Sequence, residues 1–540
     1  MEIKTGWMGE MTNLLTQPLI NTVPLGFLTL PGVLAALTRD EVENFPALRP
    51  HQGMFWHMFL VQLGALALHR AERVDLPMEE AQWTVLLRGL TAGFAGDEPW
   101  CLIVDDWKKP AFMQPPVPEG VKLGNDVPTA DALDLLITSK NHDLKQSIGR
   151  KGLEEDWVFA LVTLQTGEGY GGAGNQGIAR MNGGSSSRSM LTLAPRPSAN
   201  GKQMMPRPGG WFRRDVSMLL ETREKALETY TEYPEMRGLG LTWLAPWLEG
   251  EQLQIKELDL WFIEVCRRIR LSRRSENLSA VKGTSRETRI NAKHLAGALG
   301  DPWAPEHKTK NKSFTLGGGD FHYRTLSELL FGGEWIKPLL AHAASFETAS
   351  EPMVIIAQAL ARGNSKTEGF KSRALPLSGK VALALGDQRK ALHELGKWQA
   401  EAISALDGTL SYALKLAAVG GDTEVLKEKQ KSESNRQKLG EYVQNARAHF
   451  DRYADSIFFE HLWRRFEAKG EVRKAEDTAF LRKLWQRTQE IFEQALPAMP
   501  YPSLYRHRAE ARARREFYGN RNLRKNYPDL FKREEKNNAV

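Results

Sequence analysis

The feature that most constrains this chain is a change of texture near Gly379. Upstream, glycines and prolines cut the sequence into short apolar runs; downstream their frequency falls and a long helical period takes over. Leu392, Leu395, Trp398, Ala402, Leu406, Leu410 and Ala413 recur at helix spacing, and Tyr442, Ala446, Phe450, Tyr453, Ile457, Phe458, Leu462 and Phe466 do so again. A third segment runs through Phe480, Leu481, Leu484 and Ile491, and a shorter fourth lies within 503–517. Apolar residues on that period share one helix face, which must be buried against a neighbour. Gly420, Gly421, Gly470 and the prolines of PAMPYP at 497–502 mark the breaks. Four helices with short connections predict a bundle. The expected fold class is therefore an α+β (mixed) N-terminal domain over 1–378, an all-α four-helix bundle over 379–517 and a basic C-terminal tail over 518–540.

The N-terminal part opens with short apolar runs broken by turn residues, followed by helical patterns around Phe55–Leu68 and Glu79–Ala95. The proline-rich segment 110–118 then interrupts regular structure, because proline fixes φ and donates no hydrogen bond. Phe112, Met113 and Gln114 within it read as a loop plug into the core. After GNDVPTADALDLL, where Thr129 suits a helix cap, comes a polar loop over 138–152 with Lys140, Asn141, His142, Lys145, Arg150 and Lys151. An isolated His142–Asp143 pair lacks the further ligands that a metal site needs.

One stretch stands apart in bias. Over 157–189 an apolar run leads into glycines at 167, 169, 171, 172, 174, 177, 183 and 184. Glycine is favoured where φ must be positive or where another molecule approaches the main chain closely. Gly169, Gly171 and Gly174 satisfy the spacing GxGxxG, but that fingerprint needs a strand before it and a helix after it to hold a pyrophosphate. The run 157–164 reads as a strand, yet 175–189 continues as loop, so the missing helix ranks the cofactor reading last. A linker between two strands and a backbone contact to a polyanion both stay open. The smaller cluster at 317–319 reads as a hairpin turn.

Aromatic and cationic residues lie close together in PRPGGWFRR (206–214), which holds Arg213 and Arg214, and around Trp243 and Trp247. The run 255–274 has helix-spaced apolar residues and ends in Arg267, Arg268, Arg270, Arg273 and Arg274. Cations favour a helix C-terminus and also suit phosphates, and sequence alone does not separate the two.

At 60.8 kDa the chain is too long for a single core, and 41% hydrophobic with 26% charged residues describes a soluble globular protein. Two cysteines, Cys101 and Cys266, without CxxC spacing exclude a four-cysteine zinc site and a disulfide framework. With no apolar run of membrane length and no signal-peptide core in MEIKTGWMGEMTN, neither a membrane span nor export is expected, and a reducing cytoplasm is the expected compartment. The formal net charge is +7; eleven Lys or Arg face five Asp or Glu over 501–540, an excess of six. Such an excess suits nucleic acid, an acidic protein or plain solubility.

The ordered series NLLTQPLI (13–20), LTLPGVLAAL (28–37), ALRPHQ (47–52), PAFMQ (110–114), TSKNHDLK (138–145), the glycine-rich loop, WFRRD (211–215), LTWLAPW (241–247) and FIEVCRRIRL (262–271) resembles the large subunit, CasA, of the type I-E CRISPR surveillance complex Cascade. The resemblance covers most of the chain and implies the same division into a mixed N-terminal domain and a C-terminal four-helix bundle. It implies a nonenzymatic subunit that recognises the protospacer-adjacent motif on double-stranded target DNA, helps start the R-loop, and presents it to a helicase-nuclease recruited in trans. Guide RNA and other Cascade subunits are the implied partners, with no cofactor, no metal and no membrane.

Carried over by residue, the glycine loop that enters the minor groove matches Gly169, Tyr170, Gly171, Gly172, Ala173 and Gly174, and the lysine finger falls at Lys293. Lys140, Asn141 and His142 match the loop that packs on guide RNA and neighbouring subunits, while Arg213, Arg214, Arg267 and Arg268 are the expected phosphate contacts. Two departures stand out. The cysteine cluster of some members is missing, and around His342–Phe346 there is no glutamine to match the family's strand-separating wedge. The rival readings are an enzyme using GEGYGGAG as a nucleotide cradle, with His142 and Asp143 as partial catalysts, and a purely architectural subunit.

Overall fold

A computed structural model describes residues 12–133, 152–181, 188–197, 204–274, 277–363, 366–501 and 503–531. The chain divides into two compact units: Met1–Phe321 with Gly333–Leu383, and His322–Gly332 with Ala384–Val540.

The first unit mixes helices and small sheets. At its centre is the helix Gly53–Arg70, in which every residue from Met54 to Leu68 is buried. Its sequence has no polar face, as a helix wrapped by protein requires. The helix Pro208–Thr229 lies against it where Gly64 has no side chain; a Cβ there would stand 3.2 Å from the Phe212 ring. The strand Met353–Gly363 pairs antiparallel with both Met190–Pro195 and Lys366–Leu377. A second three-stranded sheet joins Asn125–Val127, Asn277–Gly283 and Arg268–Arg274. Phe112, Met113 and Gln114 are fully buried, as the loop-plug reading expects. Gln114 donates to the Leu102 and Phe112 carbonyls and accepts from the Leu271 amide.

Three local readings are corrected. The apolar run 157–164 is not a strand; it belongs to the helix Glu154–Gly167. A continuous apolar run carries no period, so it does not separate a strand from a helix buried all round. The helix signal lay just upstream, in acidic Glu154, Glu155 and Asp156 at the positive end of the dipole, with the Asp156 carboxylate accepting from the Leu153 amide at 2.7 Å. Conversely, 255–274 is not one helix but the strands Leu258–Ile263 and Arg268–Arg274. Arg268, Arg270, Arg273 and Arg274 therefore lie along a strand rather than gather at a helix end. Around Gly317, whose φ is +60°, the chain turns, but it leads into the helix Tyr323–Phe331 and not into the second strand of a hairpin.

The second unit is all helical. Its four long helices are Arg389–Ala418, Glu433–Glu467, Gly470–Ala495 and Arg506–Tyr518. Leu406, Leu410, Phe450, Leu462, Phe480, Leu484 and Phe517 fill the core. Gly420 and Gly421, both with positive φ, end the first helix, and Asp422 caps the next, Thr423–Lys431, by accepting from Glu424 and Val425 amides. Residues 518–531, within the segment expected as a basic tail, carry the helix Arg521–Asn526; Leu523 is buried and Tyr527 lies edge-on to Trp398. No helix among the described residues is long and apolar enough to cross a membrane.

Candidate nucleic-acid interface

The glycine loop leaves the C-terminal end of the helix Glu154–Gly167. That placement reverses the geometry of a phosphate cradle, which uses the positive N-terminal end of a following helix. The nucleotide-cradle reading loses its physical basis here.

Both feet of the loop are pinned from distant parts of the chain. Buried Gln165, in the last turn of the helix, accepts from the amides of Cys266 and Arg267 and donates to the carbonyls of Met113 and Arg267. Arg267 returns a bond from Nη2 to the Gly169 carbonyl at 2.9 Å. On the far side, Ser285 N donates to the Gly174 carbonyl, Gln176 Nε2 to the Arg286 carbonyl, and Ile178 N to the Glu168 carbonyl. Gly177 lies so near the main chain of Gly169 and Tyr170 that a Cβ would come within 2.8 Å of it. Ala179 N is held by Glu264, a carboxyl whose pKa burial raises to about 7.

The apex is built differently. Tyr170, Gly171 and Ala173 are exposed, and Gly172 is half-exposed. A tight turn closes it, with Gly171 N donating to the Asn175 carbonyl and Asn175 N to that of Gly172. Gly172 has φ +111° and Gly174 φ +77°, which L side chains rarely adopt. Among the described residues, the amides of Gly172, Ala173 and Gly174 meet no acceptor. A rigid base thus presents a narrow tip with three consecutive backbone donors and one exposed aromatic ring.

Around this tip the structure adds residues that sequence reasoning missed. Thr284 and Arg286 are exposed beside the loop's far foot, and Lys282 is half-buried on the adjoining strand. Desolvation lowers the Lys282 pKa, the neighbouring Arg267 charge adds to that, and Glu168 opposes it. No local signal marked these positions, because pairing of Arg268–Arg274 with Asn277–Gly283 brings them to the loop.

The four arginines fall in two places and are mostly internal. Arg267 and Arg268 are buried under the loop. Arg268 binds Glu249 and donates to the carbonyls of Thr284, Trp247 and Leu248. Its guanidinium and that of Arg289 both lie against the Trp247 ring, at 4.9 and 5.3 Å. The aromatic–cationic pattern around LTWLAPW is thus a packing device, and Trp243 and Trp247 are core. Arg214, on the helix Pro208–Thr229, is buried against Asp215, Glu347 and the carbonyls of Leu340 and His342. Arg213 is half-buried and donates to the Thr38 carbonyl. In this conformation Arg214, Arg267 and Arg268 hold protein acceptors and leave no guanidinium face for a phosphate. Lys293, by contrast, is exposed in a single 3-10 turn, Lys293–Leu295, further along the segment that Ser285 ties to the loop. Lys140, Asn141 and His142 lie outside the described residues. Within the described residues no three His, Cys, Asp or Glu side chains gather as metal ligands. Burial pushes the thiols of Cys101 and Cys266 up to about 12.

No protein-family model and no curated protein matches the sequence. Solved structures do match the fold. Cse1 from Thermobifida fusca superposes with a TM-score of 0.61 at 13% identity, covering 96% of this chain and 98% of that one. CasA (Cse1) of Thermus thermophilus gives 0.58 at 13%, with 94% and 99% covered. The CRISPR-associated protein Cse1 from Acidimicrobium ferrooxidans gives 0.56 at 14%, with 95% and 99% covered. The chain has the CasA fold. The likeness runs over both units, and the resemblance read from scattered segments of sequence agrees with it. At such low identity the shared fold does not by itself carry residue roles.

Proposed function

We propose that this CasA-like chain is the DNA-binding large subunit of a type I-E Cascade ribonucleoprotein, working in the cytoplasm without catalysis. The observation that carries the reading is the glycine tip, with free amides at Gly172, Ala173 and Gly174 on a base pinned by Gln165, Arg267 and Ser285. The minor groove is about 6 Å wide and presents mainly acceptors, adenine N3 and thymine O2, with the guanine amino group as its one donor. A backbone without bulky side chains brings its own amides to the floor of so narrow a space, and consecutive amide donors match its acceptors.

In this reading Gly169–Gly174 reads the protospacer-adjacent motif, while Lys293 and Arg286 approach from the segment beside the loop. Guide pairing reads the rest of the target. Phe346, 51% exposed at the place where the resemblance puts the wedge, takes the strand-separating role by stacking on an unpaired base. Lys140, Asn141 and His142 meet guide RNA and neighbouring subunits, the bundle steadies the displaced strand, and a helicase-nuclease is recruited to the R-loop.

The test uses the assembled complex and motif duplexes with single-atom changes. Replacing a motif adenine by 3-deazaadenine removes the minor-groove acceptor, and 7-deazaadenine removes a major-groove one. The 3-deaza duplex should bind about fivefold more weakly at one or more positions, the worth of one neutral hydrogen bond. A loss only with the 7-deaza duplex would overturn the minor-groove reading. Equal binding of all duplexes would favour a purely architectural subunit.

A further inference from the structure

Away from the glycine loop, the first unit holds a cavity of about 220 Å³ that its proposed DNA role does not use. A dry cavity of about 150 Å³ accepts benzene, so this one has room for a small ligand of somewhat greater size. One wall is apolar and includes Leu66, Leu90, Leu241 and Leu244. The other carries charge, from His69 and Arg70 at the end of the helix Gly53–Arg70 and from Glu72, Arg237 and Asp259.

This polar wall is open rather than sealed. His69 is half-buried, and the charges acting on its ring are those of Arg223, Asp259, Arg70 and Glu72. Neither ring nitrogen has a hydrogen-bond partner among the described residues, and neither is among the buried atoms cut off from solvent. Either tautomer therefore presents an accessible N–H. Arg70 is exposed, and its Nη2 donates to the Gly238 carbonyl at 3.0 Å, which holds the guanidinium beside the segment that lines the cavity and leaves its other N–H groups without a protein acceptor. Asp259 adds no free charge, because Arg223 binds both of its oxygens, at 3.0 and 2.8 Å, in a buried pair. Arg237 and Glu72 are exposed, and neither has an ion pair among the described residues. Their φ angles, +64° and +53°, are left-handed, a conformation that costs energy in residues other than glycine and gathers where ligands are held. With Asp259 neutralised, two arginines outweigh the one free carboxylate, so the surplus charge facing the leucines is positive.

We infer that this cavity binds a small aliphatic carboxylate, its oxygens taking hydrogens from Arg70 and His69 and its chain lying against the leucines. The guanidinium fork matches a carboxylate, and a bare phosphate would leave the apolar wall unfilled. The inference stands apart from the DNA-binding reading, since it uses none of the glycine-loop residues.

The test titrates the purified full chain with 4-methylpentanoate, followed by saturation-transfer NMR and thermal shift, with 4-methylpentanamide, inorganic phosphate and leucine in parallel. The carboxylate should bind saturably at low millimolar concentration or tighter, as expected for a ligand of its size. The amide should bind at least about tenfold more weakly, for want of charge-assisted hydrogen bonds, and phosphate likewise, for want of the apolar contact. Arg70→Gln should weaken the carboxylate by about tenfold while leaving the amide unchanged. Leucine binding tighter than 4-methylpentanoate places its ammonium on Glu72 and assigns the site to amino acids; the reverse assigns it to plain carboxylates. Absence of saturable binding by both, or equal binding of the amide or of phosphate, overturns the inference, as does a folded Arg70→Gln chain that binds the carboxylate like wild type. The wild-type comparisons hold even if the variant does not fold.

Discussion

The glycine tip makes a demand that one methyl group tests. Gly171 has no positive φ, and a Cβ built on it would lie 3.4 Å from Arg267 Nη2 and from Asn175 Cβ, an ordinary contact distance. Gly171→Ala is therefore compatible with the fold. By lowering the entropy of the unfolded chain it should leave the melting temperature unchanged or raise stability by about 0.4–1 kcal/mol. On this exposed residue the same methyl thickens the tip by about 1.5 Å, which a groove already filled by the tip must accommodate. An added methyl in a filled space costs about 1–3 kcal/mol, so target-duplex affinity should fall about 5- to 150-fold.

Binding is measured by gel shift on the assembled complex at fixed salt, beside a thermal melt of the variant. Gly171→Asp should abolish binding, through bulk and through repulsion of a phosphate that reaches about 3 kcal/mol at about 6 Å and an effective dielectric of 20. The carboxylate would also sit beside Arg267, which pairs with it and blurs that figure, so alanine is the cleaner change. Gly174→Ala is the contrast: with φ +77° and a Cβ only 2.6 Å from that of Thr284, it should lower the melting temperature itself. If Gly171→Ala folds normally and binds within twofold of wild type, the tip does not enter the groove, and the central argument fails.

Phe346→Ala should leave binding of a duplex with a pre-opened bubble unchanged while reducing 2-aminopurine fluorescence at the motif-proximal step of a closed one; loss of neither signal removes it as the wedge. On the bundle, the exposed Arg515, Arg521 and Lys525 belong to helices whose Phe517 and Leu523 are core, so deleting the whole segment would confound binding with folding. Changing the three to Gln should instead lower the steepness of log K against log salt by about 2 if each meets a single-strand phosphate, and an unchanged slope assigns them to solubility. Glu264 sets a pH dependence. Its folded pKa of about 7 lies above the ordinary 4.5, so the native state binds the proton more tightly, and the stability this contributes below pH 4.5 is lost as pH rises through 7. Glu264→Gln keeps an oxygen for Ala179 N and should be progressively more stable than wild type above pH 4.5, by at most about 3 kcal/mol past pH 7; parallel melting curves across that window would refute it.

Much of the architecture was legible because periodicity survives in a single sequence. The bundle follows from apolar spacing through Phe450, Leu462 and Leu484, and the tip from glycine bias alone. The helix at 154–167 was hidden because burial on every side erases its period, and the strands at 258–274 because apolar residues there mimic helical spacing. What pins the tip was not legible at all. Arg267 meets Gly169 across 98 positions of sequence and Arg286 meets Gln176 across 110, while Ser285 reaches Gly174 from the same distant segment and Gln165 binds Arg267. Cationic residues near tryptophans suit nucleic-acid binding and core packing alike in a sequence, and Arg268 and Arg289 against Trp247 show the pattern closing a core.

The direction of the helix before the loop sharpens what the tip recognises. A helix C-terminus carries a partial negative charge, which works against phosphate binding there, and the arginines beneath are engaged by protein carbonyls. The free amides of Gly172–Gly174 are neutral donors, suited to the acceptor edges of bases. Reading and phosphate holding should therefore separate experimentally. Gly171→Ala should weaken binding while leaving the salt slope intact. Lys293→Ala, at an exposed cation, should reduce the slope by about 0.9 if it meets one phosphate of the duplex. If instead it leaves the slope alone and changes motif preference, Lys293 reads a base edge, as the lysine-finger match implies. A loop variant that flattens the salt dependence would mean that the tip binds phosphate after all, and the assignment of its amides to the minor groove would fall.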